Sequence, residues 1–205
     1  SLISGIWLVF EGTKGMGKDD FIFFITLGLG AIAAAIFYTV GKKAYGYHGL
    51  GDLFVFIFFG IIGVAGTYYL QANNFEYQLL LPASTIGFFS AGVLNLNNLR
   101  DHINDKNSGK NTLVVKLGFE KAKIYHLFLL VSGLTCSVIF VFMNYLSAWQ
   151  FIFLAVTPLL MKNALTVLRC EDPKQLDPLL KQLAITTFLF SLLFGCGLYI
   201  SIQNL

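Results

Sequence analysis

The chain has 205 residues, 56% of them hydrophobic, 16% aromatic and only 12% charged, with a mean hydropathy of +0.71. Such a composition excludes a soluble domain that must clothe itself in polar groups, and points to a polytopic membrane protein. The net charge of +3 says little as a total, and no nucleic-acid partner is expected; the distribution of the charges carries the information.

The first apolar run, 2–10, is too short to cross the roughly 30 Å hydrocarbon layer. It follows Ser1 rather than Met, with no basic flank or small-residue cleavage site of the secretory kind. It reads as the second half of a span cut through the middle, in a chain that lacks its N-terminal helices. A short interfacial helix is the alternative, and would call for a stronger polar face. Six longer runs follow, at about 21–38, 51–70, 78–96, 124–142, 148–168 and 183–201, each long enough to span as a helix. The fold class expected is therefore all-α, a transmembrane helical bundle of six full spans and a partial one, forming a single domain over 1–205. Pro82 falls near the start of one helix, and Pro158 falls inside another, where a kink is expected.

Assigning each Lys and Arg to a connection separates two sides. Twelve of the fourteen fall on one: Lys42, Lys43, Arg100, Lys106, Lys110, Lys116, Lys121, Lys123, Lys162, Arg169, Lys174 and Lys181. Only Lys14 and Lys18 fall on the other. By the positive-inside rule the richer side is cytoplasmic and the C-terminus lies outside. Cys136, Cys170 and Cys196 are scattered, with no metal-ligand spacing, and read as packing residues.

Two polar clusters lie on the basic side. The first, 38–52, reads Tyr-Thr-Val-Gly-Lys-Lys-Ala-Tyr-Gly-Tyr-His-Gly-Leu-Gly-Asp. It is either a simple interfacial turn or a source of phenol and ammonium groups for a departing diphosphate. The second follows the third long run and contains Asn97, Asn98, Asp101 and Asp105. At about 100° per residue these four share one face of a continuing helix, while Asn95 and Arg100 point elsewhere. The two carboxylates stand one turn apart, about 6 Å along the axis. They are either solvated residues with Arg100 and Lys106 as local partners, or the start of an oxygen site for a hard cation such as Mg²⁺ shared with a phosphorylated substrate. Lys110 follows a glycine and can place an ammonium on a diphosphate, although 105–112 is not a P-loop. His48, His102 and His126 have no ligand spacing, and His102 reads as a bystander.

The stretch 97–118, Asn-Asn-Leu-Arg-Asp-x-x-x-Asp-x-x-x-Gly-Lys-Asn-Thr-Leu-Val-Val-Lys-Leu-Gly, resembles the second aspartate-rich motif of the UbiA-type intramembrane aromatic prenyltransferases. Segment 38–52, the Tyr68-Tyr69-Leu70-Gln71 run and the Asp172-Pro173 loop are similar to the branch that prenylates 1,4-dihydroxy-2-naphthoate in menaquinone synthesis. The resemblance implies a nine-helix bundle around a central cavity, in the cell inner membrane, with a polyprenyl diphosphate held through Mg²⁺ at the cytoplasmic side. It implies Asp101 and Asp105 as metal ligands, and Asn97, Asn98, Arg100 and Lys110 on the diphosphate. Tyr38 with Lys42 or Lys43 would be the catalytic helpers. Ala44 stands where the branch usually has Pro, and the family's first aspartate-rich motif has no counterpart in these residues. The implied reaction is prenyl transfer to the naphthoate with loss of carbon dioxide, giving demethylmenaquinone; the fragment alone is expected to be inactive. A relative acting on 4-hydroxybenzoate, a transporter, and a noncatalytic scaffold are the competing readings. A transporter would call for ionisable residues near the bilayer midplane, and the six runs hold almost none.

Overall fold

The computed structural model describes residues 2–39 and 45–204. Among the described residues the regular elements are helical: α1 (Leu2–Gly12), α2 (Lys18–Thr39), α3 (Gly51–Ala72), α4 (Leu80–Asn107), α5 (Leu113–Leu117), α6 (Phe119–Met143), α7 (Thr157–Arg169) and α8 (Asp177–Gln203). Short 3-10 segments at Tyr45–His48, Tyr77–Leu79, Ala148–Val156 and Pro173–Leu176 join them. Among the described residues, six stretches are long and apolar enough to cross a membrane: Lys18–Tyr38, Gly51–Ala72, Tyr77–Asn107, Phe119–Met143, Ala148–Arg169 and Pro173–Gln203. The expected helical bundle is thus present.

The helices run further than the apolar stretches that announce them. Helix α4 continues to Asn107 and α6 begins at Phe119, because an apolar run marks only what lipid requires, while i→i−4 bonding continues into water. Pro158 does not kink a helix. It lies in the first turn of α7, where a missing N–H removes no helical bond. The span reaches it as a 3-10 segment opened by a capping box between Ser147 and Gln150.

Helix α4 lies at the centre and packs chiefly on α6, the middle of α3, and α8. Its core residues Phe89, Leu96 and Leu99 are fully buried, with Phe190 closing on Phe89 from the C-terminal half and Phe153 packing on Phe190. The Phe89 and Phe190 rings meet edge to face at 5.4 Å, a favoured aromatic geometry. Helix α3, π-helical over Phe56–Ala65, approaches α4 through glycine: a Cβ on Gly60 would lie 2.5 Å from the Cα of Gly87. Polar side chains inside the bundle find partners across it. The Thr85 hydroxyl donates to the Gly133 carbonyl at 2.8 Å and meets Ser137 Oγ at 2.7 Å, an interhelical tie suited to an apolar surround. Outward positions carry Phe59, Ile124, Phe142 and Phe188, all exposed. A surface of that kind needs lipid around it. Helix α1 buries none of its residues.

Candidate functional site

The connections 45–50 and 108–118 meet at one end of the bundle, where 170–176 also lies, tied through Cys170 O to Lys123 Nζ; this end carries most of the basic residues. The end of α4 dictates the local geometry. Gly109, with φ +75°, follows the C-cap residue Ser108; Gly109 N donates to Lys106 O at 3.2 Å and Lys110 N to Asp105 O at 2.9 Å. This 6→1, 5→2 pair closes the helix and requires a left-handed residue, which glycine supplies. The reversal throws Lys110 back, so that its Nζ lies 3.3 Å from both oxygens of Asp105. The Gly-Lys pair is therefore a helix stop that returns a cation to the carboxylate.

Asp101 is held differently. Arg100 Nε donates to its Oδ1 and Arg100 Nη2 to its Oδ2, both at 2.8 Å, a bidentate fork. The same Nη2 donates to Asn97 Oδ1 at 2.9 Å, and Nη1 reaches Asp177 Oδ1 in the first turn of α8 at 2.7 Å. The wheel places Arg100 off the Asn97–Asp101 face; its long side chain folds back over that face instead. Asn97, Arg100 and Asp101 thus form one network, and Asp105 with Lys110 forms a second one turn on. Asn98 is buried, and its Oδ1 has no hydrogen-bond partner among the described residues.

The first polar cluster comes to the same end. Asn111 N donates to Tyr47 O at 3.1 Å and Lys116 Nζ to His48 O at 2.6 Å. Gly49, φ +73°, sits so tightly between them that a Cβ would lie 3.2 Å from Asn111 O and from Leu113 N. Tyr38 is half-buried and packs on glycines: a Cβ on Gly46 would lie 2.5 Å from the Tyr38 carbonyl and 2.9 Å from its ring. A Cβ on Gly51 would lie 3.5 Å from the Tyr38 hydroxyl and 3.2 Å from Leu94 Cδ2 on α4. Lys42 and Lys43 lie outside the described residues. His102 stacks on Phe119 at 4.9 Å and its Nδ1 meets Leu99 O.

Several polar residues escape a reading of the sequence. Asp52, 7% exposed, heads α3 with the Tyr125 hydroxyl of α6 directed at its carboxylate. Asn95 Nδ2 donates to Ala122 O at 3.2 Å, one turn before Tyr125. His126, fully buried, bonds through Nε2 to Asn163 Oδ1 at 2.9 Å, and Asn163 Nδ2 donates to Leu179 O and Gln182 Oε1. Asp52 hides because an acid in a helix's first turn is ordinary dipole chemistry. Asp177 hides for the same reason.

The metal-holding capacity of this end is partial. Among the described residues no three His, Cys, Asp or Glu side chains gather into one ligand group. What α4 offers is two carboxylates and the amide oxygens of Asn97 and Asn98. An all-oxygen set with few protein ligands suits a hard divalent cation that takes its remaining ligands from water and phosphate. A large groove elsewhere, about 1120 Å³ on the flank by Leu134, Leu154, Pro158 and Met161, contains none of these site residues.

Comparison with known proteins agrees with this picture. Residues 21–193 match the model of the UbiA prenyltransferase family. A 1,4-dihydroxy-2-naphthoate octaprenyltransferase of Haemophilus influenzae is 42% identical over 200 residues, 98% of this chain and 64% of the relative. Proteins of the same name from Escherichia coli K12 and Mycobacterium tuberculosis are 45% identical over 97% of the chain and 35% over 82%; they are covered to 64% and 56% of their own lengths. The chain therefore spans less than two thirds of these relatives. No solved structure matches it. Members of the family generally use a divalent metal. On the match over most of its length and the shared naphthoate-prenylating relatives, the chain belongs to the UbiA prenyltransferase family.

Proposed function

We propose that the protein to which this chain belongs transfers a polyprenyl group from its diphosphate to 1,4-dihydroxy-2-naphthoate, with loss of carbon dioxide and release of diphosphate, forming demethylmenaquinol, the quinol form of demethylmenaquinone. The relatives of that name support the substrate pair. The observation that carries the site is the tie between connections 45–50 and 108–118, which brings the Tyr38 region to the end of α4 that holds Asp101 and Asp105. In this reading the protein lies in the cell inner membrane with that end cytoplasmic and the C-terminus outside, in keeping with the lysine and arginine asymmetry.

Asp101 and Asp105, aided by the Asn97 and Asn98 amide oxygens, are the residues that would hold Mg²⁺, which would supply neutralisation of charge on the diphosphate. The chain's own cations do the rest: Arg100 and Lys110, already seated on the two carboxylates, turn their donors to phosphate oxygens as these arrive. Tyr38, with Lys42 or Lys43, donates to the leaving oxygens, where negative charge grows as the allylic C–O bond breaks. The apolar, lipid-embedded bundle would keep bulk water from the allylic cation that would otherwise be hydrolysed. The electron-rich naphthoate ring attacks that carbon, and the prenyl tail stays in lipid.

The test is product formation by the intact gene product in membranes, from dihydroxynaphthoate and a polyprenyl diphosphate, with Mg²⁺ and with chelator. Prenylated product that disappears on chelation is expected. Absence of product with Mg²⁺ present overturns the substrate assignment, and turnover indifferent to chelation overturns the metal site.

A further inference from the structure

Three side-chain oxygens at the junction of α3, α4 and α6 share an unusual condition: Asp52 Oδ2, Asn95 Oδ1 and Asn98 Oδ1 are buried and lack a hydrogen-bond partner among the described residues. Buried polar atoms in native proteins are satisfied in all but a few cases, and the exceptions call for an explanation. All three are acceptors, so what is missing is a donor or a cation. Their elements converge. Gly51, beside Asp52, touches Leu94 of α4; Asn95 follows Leu94 and bonds to Ala122 of α6; Tyr125, one turn further along α6, faces Asp52. Tyr38 closes the group, its hydroxyl 3.5 Å from where a Gly51 Cβ would stand.

A carboxylate buried beside the diphosphate's phenol helper is misplaced if its ligand is the diphosphate, since anion would face anion in a poorly screened setting. It is well placed for a neutral donor. The donors that the proposed reaction brings are the two ring hydroxyls of the aromatic acceptor. The hydroxyl next to the acceptor's own carboxylate would set two carboxylates together. The remote one does not.

Resting on the function proposed above, we infer that Asp52, oriented by Tyr125, is a contact for the aromatic acceptor and accepts a hydrogen bond from the ring hydroxyl remote from the acceptor's carboxylate. Such a bond fixes the ring's orientation and pushes electron density into the ring that must attack the allylic carbon. It also makes the site selective. A site built around a buried carboxylate rejects an acceptor lacking the hydroxyl, because Asp52 Oδ2 is then left desolvated and without a donor.

The experiment compares the KM for 1,4-dihydroxy-2-naphthoate with the inhibition constant of 1-hydroxy-2-naphthoate, which lacks the remote hydroxyl, in the intact gene product and its Asp52→Asn and Asp52→Leu variants. The wild type is expected to favour the dihydroxy acid by on the order of ten- to a hundredfold, the range for a hydrogen bond to a charged group. Asp52→Leu should bring the ratio near one and Asp52→Asn, which keeps an oxygen but not the charge, should leave it between. The half-saturating Mg²⁺ and the KM for the polyprenyl diphosphate should not move. A ratio unchanged in Asp52→Asn, or a change confined to the metal or diphosphate constants, overturns the inference. The near-isosteric Asn variant keeps the test alive if the Leu variant fails to insert. A wild type that never prenylates dihydroxynaphthoate sinks the proposed function; a wild type that does, with an unmoved ratio in the variants, sinks only the role of Asp52.

Discussion

Arg100 and Asp177, 77 residues apart, meet at 2.7 Å. The guanidinium is thereby shared between the first turn of α8 and the Asp101 carboxylate one residue along α4. Asp177 is 64% exposed, so the pair contributes little to stability, roughly 0–1 kcal/mol. Its effect should instead be on the metal. With Asp177→Asn the guanidinium keeps Asp101 as its one carboxylate, beside the Asn97 amide oxygen, and in the proposed site a divalent ion must displace a more committed cation. A Mg²⁺ titration of turnover should show the half-saturating concentration rising a few-fold, with the melting temperature in detergent within a few degrees of wild type. An unchanged metal requirement would refute the idea.

Asp101→Asn should be far more damaging to turnover and as mild for the fold. Asp101 is partly exposed at a helix end, so the protein should insert and melt normally. In the site proposed above, loss of one charged anchor at the diphosphate should lower turnover by about a hundredfold or more, comparable to removing a donor that stabilises transition-state charge. Product assay beside a melting curve checks both halves.

The close approach of α3 and α4 depends on a missing side chain. A Cβ on Gly60 would lie 2.5 Å from Gly87 Cα and 2.6 Å from Ala83 O, both backbone atoms that cannot swing aside. Gly60→Ala should destabilise by about 1–3 kcal/mol, the range for overpacking. Gly28→Ala on α2, with nothing within 4 Å of its Cβ, should be nearly neutral. Paired thermal denaturation in one detergent distinguishes the sites.

Asn163 joins three helices through one amide, taking the His126 ring nitrogen on one side and serving Leu179 and Gln182 on the other. Asn163→Leu fills similar space but strips partners from buried groups, at a cost of about 1–3 kcal/mol. The loss should appear as a lower melting temperature. If the variant melts as wild type does, the network is dispensable.

Burial pushes the Cys170 thiol above its ordinary pKa, against a smaller pull from Lys123. The folded state therefore holds its proton at pH values where the unfolded chain has released it. The stability contributed is present at neutral pH and falls as pH rises past the free-thiol value of about 8.5. A maleimide should accordingly label Cys170 slowly at pH 7 in the folded protein and rapidly after denaturation. Fast labelling of the native form at pH 7 would contradict this.

The spans were legible because a bilayer imposes length and apolarity at once. The end of α4 was legible too, since Asp101 and Asp105 at i, i+4 need only helical geometry to share a face. Pro158 misled because an apolar run does not reveal where a 3-10 segment becomes an α-helix. Arg100 misled because a helical wheel locates Cβ, whereas a guanidinium on a long stem returns across the face its Cβ leaves. Asp52 and Tyr125 lie 73 positions apart by number, on different helices, and no local spacing could join them.

Gly49 wedged between Asn111 and Leu113, with the Tyr47 and His48 carbonyls tied down by Asn111 and Lys116, has a consequence for engineering. The two connections are a matched set, main chain fitted to main chain. A chimera that grafts either loop alone from a relative inherits half a joint, whereas exchanging 45–50 and 108–118 together carries the whole register across. Any redesign at this end will have to treat the two loops as one heritable part.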